Sequence, residues 1–337
     1  ANYDFTPANG TLSISQAPLS VTASNASKTY GDTKTFAGTE FTSSGLQNSE
    51  TIGSVTLASS GAAATANVSG SPYVITASNA TGGSFTAGNY SISYVDGSLT
   101  VSQRPITVTA SNQSRTYGSA NPTSGSVSVT SGSLANSDAL GTATVTAAGT
   151  ATATANAGTT HALTPSAQTF STGAADNYLI SYAAGSLTIN KAHLTVTADN
   201  QTRTYGAANP TFTQTISGYV NGENATSASL TGSATGSSAA IGTSSVGSYA
   251  ITGSTGTLAA ANYDFTPANG TLTIGKANAT VTANSASGTY SGLAQSVTGF
   301  TATGLVNNES VAVLTGVSTS GGSGTNAGIY THTASGT

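Results

Sequence analysis

An internal repeat constrains the fold of this chain more than any other feature. An Asn-Tyr pair occurs four times, and the steps between its tyrosines are 87, 88 and 85 residues. A Thr-Tyr pair follows each one at a constant offset of 27 residues. The tyrosines are Tyr3, Tyr90, Tyr178 and Tyr263 in the first motif, and Tyr30, Tyr117, Tyr205 and Tyr290 in the second. Four copies in phase predict tandem domains of one kind, with insertions and deletions outside the constant stretch, in exposed loops.

Each unit alternates apolar and polar residues as β-strands do. In the second copy of the Asn-Tyr motif, residues 90–95 alternate, Asp96-Gly97 follows, and residues 97–102 resume the alternation. Asp-Gly is a strong signal of a tight turn, so we interpret this stretch as a β-hairpin. We count six to seven short strands per unit and no helical periodicity. The pattern predicts an all-β chain, a tandem array of small Ig-like antiparallel β-sandwich domains that form an elongated rod.

The repeat also divides the chain. The predicted segments are 1–15, the closing hairpin of a preceding repeat; 17–102, repeat 1; 104–190, repeat 2; 192–275, repeat 3; and 277–337, an incomplete repeat 4 that lacks its closing hairpin. The joints between repeats are short and extended, which predicts a stiff array. With strands of about ten residues at roughly 3.3 Å per residue, four units would span more than about 100 Å.

One phrase occurs at both ends of the array. ANYDFTPANG stands at residues 1–10 and again at 261–270. We therefore expect either a slice of a continuous array or a subunit whose first hairpin completes the last domain of another molecule by strand addition. Deletion of residues 1–15 distinguishes the two, because only the second predicts head-to-tail filaments that vanish with the deletion.

Composition narrows the classes of function. Only 5% of residues are charged, the net charge is −4, and there is no basic patch, so we expect no nucleic-acid partner. The chain has no Cys, so disulfides and thiolate metal sites are excluded, and the absence of Cys, Met and Trp fits a secreted bacterial protein. No apolar run approaches the roughly 18 residues of a membrane span. The three histidines, His161, His193 and His332, do not recur with the repeat. We therefore expect no enzyme, no cofactor and no catalytic residue.

Charged residues recur at two places in the repeat. An acid follows an Asn in every copy, and a cation precedes Thr-Tyr in three copies. The acids are Glu50, Asp138, Glu223 and Glu309, and the cations are Lys28, Arg115 and Arg203. We interpret them as salt bridges across the unit, each worth about 0.2–1 kcal/mol, or as acids that cap a turn. Calcium is a weaker alternative, because one carboxylate per unit supplies too few oxygens without backbone help.

The tyrosines form a recurring structural motif with a neighbouring glycine. The Thr-Tyr pair is followed by Gly31, Gly118 and Gly206 in three copies and by Ser291 in the fourth. We expect the tyrosine rings to pack in the core with their hydroxyls bonded to backbone. The Asn-Tyr tyrosines are candidates for a contact like the tyrosine corner of Ig domains.

These phrases resemble the MBG domain of the YGX type. The resemblance is strongest in the third unit, which has both Thr204-Tyr205-Gly206 and Asn209-Pro210, and weaker in the fourth, where Ser291 replaces the glycine. The family occurs as tandem arrays in giant secreted adhesins of Gram-negative bacteria, often two-partner-secreted and filamentous-haemagglutinin-like. The resemblance implies a non-catalytic stalk or fibre segment of an adhesin or biofilm-matrix protein, located outside the cell or on the bacterial surface.

A second function stays open at this point. The variable half of each unit would then contact a glycan, which makes the chain a carbohydrate- or mucin-binding adhesive module. Such sites usually need exposed aromatic residues beside fixed polar groups, and this chain has no Trp. The expected partners are neighbouring repeats of the same long chain or head-to-tail copies, with a host or matrix glycan under the alternative.

Overall fold

The structure is a computed structural model that describes residues 2–336. These residues form 29 β-strands and five short 3-10 helices, with no α-helix among them, which confirms the all-β prediction. They fall into two units. Unit 1 runs to Arg115 and adds Ser119–Ala155 and Thr159–Ile189; unit 2 holds Thr116–Gly118, Asn156–Gly158 and the residues from Asn190 onward.

Repeat 1, in unit 1, contains seven strands and three 3-10 helices. The strands are β1 (Ala17–Ala23), β2 (Ala26–Thr29), β3 (Phe41–Ser44), β4 (Ile52–Ala58), β5 (Tyr73–Gly83), β6 (Tyr90–Val95) and β7 (Gly97–Ser102); the 3-10 helices are Ser60–Ala62, Val68–Gly70 and Ala87–Asn89. The strands form two sheets, β3-β1-β6 and β2-β7-β5-β4. Leu19, Val21 and Ala23 alternate along β1 with more exposed residues and are buried, so each sheet has one core face.

The sheets are mixed, which corrects the antiparallel prediction. β1 pairs with β3 antiparallel and with β6 parallel, and β7 pairs with β5 antiparallel and with β2 parallel. Consecutive strands β6 and β7 therefore lie in different sheets, and the predicted hairpin is wrong. Gly97, at the expected turn, is not among the positive-φ glycines. A Cβ at Gly97 would stand 2.6 Å from the Ala23 carbonyl oxygen, so glycine is needed for the close approach of these two segments of the backbone.

Repeat 2 keeps this plan with two extra short strands. Its strands are β8 (Arg104–Ala110), β9 (Gln113–Thr116), β10 (Val127–Ser131), β11 (Ala139–Leu140), β12 (Thr144–Ala147), β13 (Thr160–Ser166), β14 (Phe170–Thr172), β15 (Tyr178–Ala183) and β16 (Gly185–Asn190), with one 3-10 helix at Ala175–Asn177. The sheets are β10-β8-β15 and β12-β13-β16-β9, and β11 pairs with β14. β15 runs parallel to β8, as β6 does to β1.

Repeat 3, in unit 2, repeats the seven-strand plan. Its strands are β17 (Ala192–Ala198), β18 (Gln201–Thr204), β19 (Gln214–Ser217), β20 (Thr235–Ser237), β21 (Gly247–Ser254), β22 (Tyr263–Ala268) and β23 (Gly270–Gly275). The sheets are β19-β17-β22 and β18-β23-β21-β20, with parallel pairs β17–β22 and β18–β23. Leu272 and Ile274 of β23 pack with Ile251 in the core between the sheets.

The described residues of repeat 4 form isolated strand pairs. Its strands are β24 (Thr280–Ala283), β25 (Gln295–Ser296), β26 (Phe300–Thr303), β27 (Val317–Gly321), β28 (Ser323–Gly324) and β29 (His332–Gly336), with a 3-10 helix at Val311–Val313. The pairs are β24–β26, β25–β28 and β27–β29. Within the described part of the chain, the buried apolar side chains end at Ile274, so repeat 4 has no closed core there.

Residues 2–16 contain no strand, and the assignment of 1–15 to the closing hairpin of a preceding repeat stays a prediction. Residue 1 lies outside the described residues. The physical reason follows from the pairing in repeat 3, where the same sequence forms β22 and β23. Those two strands pair with β17, β18 and β21 and not with each other, so the segment cannot form its strands alone.

Candidate functional site

The recurring acid ends a tight turn in every repeat. The Glu50 backbone N–H donates to the Gln47 carbonyl at 2.9 Å, and the two residues between them have positive φ, 49° and 57°. The other three acids close the same turn, with Asp138 to Ala135 at 2.8 Å, Glu223 to Val220 at 3.0 Å and Glu309 to Val306 at 3.1 Å. Positive φ at both central positions is the geometry of type I′ turns, which explains why Asn precedes each acid.

The Asn-Tyr tyrosine of the same repeat bonds to this turn. In repeat 2 the Tyr178 hydroxyl accepts from the Ala135 backbone N–H at 2.9 Å and donates to Asp138 Oδ2 at 2.7 Å. In repeat 1 Tyr90 donates to Glu50 Oε2 at 2.5 Å, and in repeat 3 Tyr263 donates to Glu223 Oε2 at 2.6 Å. The hydroxyl does reach backbone, as predicted, but the residue it reaches lies 43 positions upstream, farther than in a tyrosine corner.

The Thr-Tyr tyrosine of one repeat bonds to the acid of the next. Tyr30 donates to Asp138 Oδ2 at 3.0 Å within unit 1. Within unit 2, Tyr117 donates to Glu223 Oε1 at 2.6 Å, and Tyr205 donates to Glu309 Oε1 at 2.6 Å. We call each acid with its bonded tyrosines an acid–tyrosine cluster. The clusters of Asp138, Glu223 and Glu309 therefore each join residues that the sequence assigns to successive repeats.

The two tyrosine rings of a complete cluster also touch. Tyr30 and Tyr178 meet edge to face, with ring centroids 5.6 Å apart and an interplanar angle of 77°. Tyr117 and Tyr263 meet in the same way, at 5.6 Å and 79°. All four rings are buried. Edge-to-face pairs add about 0.5–1.5 kcal/mol beyond their burial, so ring and hydroxyl both stabilise the joint.

The glycine after Thr-Tyr lets the next repeat approach. Gly206 has φ of +82°, and a Cβ there would stand 2.5 Å from Cγ2 of Val306, the first residue of the next turn. Gly118 faces Val220 at the same distance. A side chain at either position would need strained backbone and would displace the neighbouring turn. The Tyr-Gly motif is therefore a contact surface for the following repeat.

Asparagines complete the joint, and the sequence reasoning missed their role. The buried Asn177 donates to Asn67 Oδ1 at 2.9 Å and accepts from the Val68 backbone N–H at 2.9 Å. Asn262, the equivalent residue in repeat 3, accepts from the Ala157 N–H at 2.9 Å. The signal was present, because Asn precedes the motif tyrosine in all four copies, but only the tyrosine was interpreted.

The predicted salt bridges between recurring acids and cations are wrong, because the acids accept from tyrosines. The guanidinium of Arg203 donates to Asn209 Oδ1 at 2.8 Å and to the Ile241 carbonyl at 2.6 Å, and Glu223 is not among its partners. Arg115 likewise donates to Asn121 Oδ1 and to the Thr152 carbonyl. Both arginines are buried, and these acceptors belong to their own repeats.

The cation of repeat 1 supports the loop that receives repeat 2. Lys28 donates to the carbonyls of Asp32 and Ala63, at 2.8 and 2.5 Å, and burial lowers its pKa. The next carbonyl, that of Ala64, accepts from the Gly31 N–H at 3.1 Å and from Asn136 of repeat 2 at 3.0 Å. The loop thus holds the cation on one side and the following repeat on the other.

The clusters keep their phenols protonated. Burial raises the pKa of Tyr178 and of Tyr263 to about 12, and hydrogen bonds to their acids act in the same direction. Burial also raises the pKa of Tyr117, while for Tyr90 the bond to Glu50 is the main cause of a raised pKa. At neutral pH every one of these hydroxyls is therefore a donor to a carboxylate, a charge-assisted bond stronger than one between neutral groups.

The histidines and acids do not assemble a chemical centre. His161 contacts the hydroxyls of Thr150 and Thr159, His193 pairs with Asp264, and His332 contacts the Asn284 carbonyl. In residues 2–336, no three acids or histidines come together as metal ligands would. The same residues contain no helix with the length and apolar character that a membrane crossing requires.

Comparison with known families gives one match. The profile of the MBG domain (YGX type) matches residues 19–100, 106–188, 194–273 and 279–337, the larger part of the chain. It identifies tandem repeat domains and no catalytic family. No curated protein matches the sequence.

Proposed function

Because the chain belongs to the MBG domain family of the YGX type, in four tandem copies, we propose that it is a non-catalytic spacer. Specifically, we propose a stalk or fibre segment of an extracellular bacterial adhesin or biofilm-matrix protein. The proposal rests on one observation. The residues that recur in every repeat serve the contacts between successive repeats, as Tyr30 with Asp138 and Tyr117 with Glu223 illustrate.

The chemistry of the contact suits a spacer. In tandem arrays, stability is approximately the sum of the intrinsic stability of each repeat and the interactions between neighbours. A hydrogen bond to a charged acceptor contributes about 1.5–3 kcal/mol, more than a typical neutral one. Asp138 and Glu223 each bond to the tyrosine of their own repeat and to that of the preceding one, so neither repeat moves without breaking bonds in the other. A tether of flexible residues would lack this coupling.

A distance measurement between spin labels tests the proposal. The chain has no cysteine, so Thr42→Cys and Ser128→Cys place one label on an exposed strand position in each of repeats 1 and 2. We expect a narrow distance distribution by pulsed electron resonance. Tyr30→Phe together with Asp138→Asn should broaden it, and the exposed Asp96→Asn should leave it unchanged. A broad distribution in the native chain would contradict the spacer.

Support for the glycan-binding alternative would have to come from exposed aromatic residues. Tyr94 and Tyr182, 37% and 39% exposed, are the most exposed tyrosines of repeats 1 and 2, and their hydroxyls already accept from the Ala80 and Gln168 backbone N–H groups, each at 2.9 Å. Their position therefore does not favour a sugar site. Binding of the full chain to a glycan array, abolished by a single tyrosine substitution, would favour the alternative over the spacer.

A further inference from the structure

The joint between repeats 1 and 2 contains an ion pair in addition to its acid–tyrosine cluster. Arg104, the first residue of β8, places Nη1 3.2 Å from Oδ1 of Asp32, which directly follows the Tyr-Gly motif of repeat 1. The same nitrogen donates to the backbone carbonyl of Tyr30 at 3.2 Å. All three residues belong to unit 1. A guanidinium of repeat 2 therefore binds the segment of repeat 1 that carries the cluster tyrosine.

The other nitrogens of this guanidinium bind inside repeat 2. Nε donates to the Ser133 carbonyl at 2.9 Å, and Nη2 donates to the Ser133 hydroxyl at 3.2 Å. Ser133 lies in a loop that is one residue longer than its counterpart in repeat 3. Asp138 follows the positive-φ glycine Gly132 by six positions, whereas Glu223 follows the equivalent glycine by five. The longer loop thus supplies two acceptors that direct the planar guanidinium toward repeat 1.

The chain also carries an uncharged version of the same positions. Ala192 takes the place of Arg104, because each lies opposite the Asn-Tyr tyrosine of its repeat in parallel pairing. Ser119 follows the Tyr-Gly motif of repeat 2, where Asp32 follows that of repeat 1. Both members of the ion pair are therefore replaced together at the next joint.

A third position differs in the same way. A Cβ at Gly31 would meet the side chain of Ala135 and would stand 3.2 Å from Nη1 of Arg104. A Cβ at Gly118 would instead meet the side chain of Val220. The small alanine leaves room for a guanidinium beside the motif glycine, and the larger valine fills that space in the repeat that has no arginine.

The charged and uncharged versions combine unequally. The side chain of Arg104 is 26% exposed and that of Asp32 is 58% exposed. A largely covered guanidinium without a carboxylate keeps its desolvation cost and loses the compensating attraction. The more exposed carboxylate is better hydrated, so its loss of a partner costs less. A mismatched joint is therefore weaker than a matched one, and an unpaired charge of this kind is a general source of specificity.

We propose that the Asp32–Arg104 pair determines which repeat can follow repeat 1. The segment from Tyr30 to Asp32 prefers a following repeat with an arginine at the place of Arg104 to one with an alanine there, as in repeat 3. The acid–tyrosine cluster is present at both joints and does not discriminate between them. The inference rests on the spacer proposed above, in which successive repeats bind each other, and adds that the order of the repeats is encoded at this joint.

A double-mutant cycle in the full chain tests the proposal. Asp32→Ser and Arg104→Ala each introduce the residue that the chain carries at the equivalent position of the next joint, so both are compatible with the fold. Hydrogen exchange of peptides that cover residues 29–34 and 133–138 reports the opening of the joint. Arg104→Ala should accelerate exchange about 3-fold in the native background and slow it about 3-fold in the Asp32→Ser background, where it removes an unpaired charge.

Two controls accompany the cycle. Asp96→Ser, at an exposed acid of repeat 1, should leave the exchange of both peptides unchanged. Peptides that cover residues 220–223 should exchange alike in all variants, because they report the other joint. Acceleration by Arg104→Ala of equal size in both backgrounds would overturn the proposal, since the arginine would then act independently of Asp32.

Salt provides a second measurement. At about 1 M salt the Debye length falls to about 3 Å, which weakens a partly exposed ion pair. Exchange at the joint should therefore accelerate with salt in the native chain and not in the double variant, and an equal response of the two would contradict the proposal. The spin-label distance between Thr42→Cys and Ser128→Cys separates this failure from that of the spacer. A narrow distribution with an additive cycle refutes the selectivity alone, whereas a broad distribution refutes the spacer and the selectivity with it.

Discussion

The joint at Tyr117 allows a sharp test of the acid–tyrosine cluster. Tyr117→Phe removes the hydroxyl that donates to Glu223 Oε1 at 2.6 Å and keeps the buried ring in edge contact with Tyr263. The loss is therefore one hydrogen bond to a charged acceptor, about 1.5–3 kcal/mol. Glu223 keeps its bond from Tyr263, so the carboxylate retains one protein partner.

Hydrogen exchange measures this loss where it occurs. A chain of tandem repeats need not unfold in one step, so a single free energy of unfolding is not the right quantity. Peptides that cover β22 report the opening of repeat 3 beside the joint. We expect their exchange to accelerate about 10- to 150-fold in Tyr117→Phe, the factor that corresponds to 1.5–3 kcal/mol.

A double-mutant cycle with Glu223→Gln assigns the effect to the pair. If the two side chains act together, the double variant should lose less than the sum of the single variants by about 1 kcal/mol or more. Tyr249→Phe is the control, because its hydroxyl donates to the Ser245 carbonyl at 2.9 Å within repeat 3. Additivity of Tyr117→Phe and Glu223→Gln within about 0.5 kcal/mol would refute the cluster as a unit.

Three further predictions concern titration, the cation and the glycine. The pKa values of Tyr178 and Tyr263 are raised to about 12, so the stability that these tyrosines contribute is complete below the unfolded pKa of about 10 and is lost as pH rises through 12. Alkaline unfolding followed by circular dichroism should therefore fall between about pH 10 and 12. Unfolding that is complete below about pH 10 would contradict this prediction. Arg203→Lys should cost about 1.5–3 kcal/mol, since one ammonium cannot reproduce the fork that reaches both acceptors, and an unchanged denaturation midpoint would oppose this. Gly206→Ala should destabilise the protein more than Gly292→Ala, because both glycines have φ near +81° but only a Cβ at Gly206 would meet a side chain, that of Val306. Equal denaturation midpoints for the two variants would contradict this reasoning.

The alternation and the repeat predicted the strands, but not their pairing. Asp96-Gly97 between two alternating runs is the usual signal of a hairpin, and here it joins strands of two different sheets. The close approach of Gly97 to the Ala23 carbonyl depends on a residue more than 70 positions away. Local sequence cannot reveal such a contact, so the parallel β1–β6 pair was not predicted.

The recurring acids were found from the sequence, but their partners were not. Opposite charges recurring once per repeat suggested a pair, while a neutral phenol 40 residues downstream carried no electrostatic signal. The constant separation of 40 residues between acid and tyrosine in repeats 1, 2 and 3 was the available clue. The second tyrosine comes from the preceding repeat, so only the arrangement of two repeats identifies it.

The position of the length variation explains how repeats can differ and still join alike. The separation from the Thr-Tyr tyrosine to the acid varies: 20 residues from Tyr30 to Glu50, 21 from Tyr117 to Asp138 and 18 from Tyr205 to Glu223. That stretch contains β3, β10 and β19, each an edge strand of its sheet. In repeat 2, the longest, β10 shows a register shift between Val129 and Ser131. Because a bulge in an edge strand disturbs only one ladder, an extra residue there leaves the acid and both tyrosines in place.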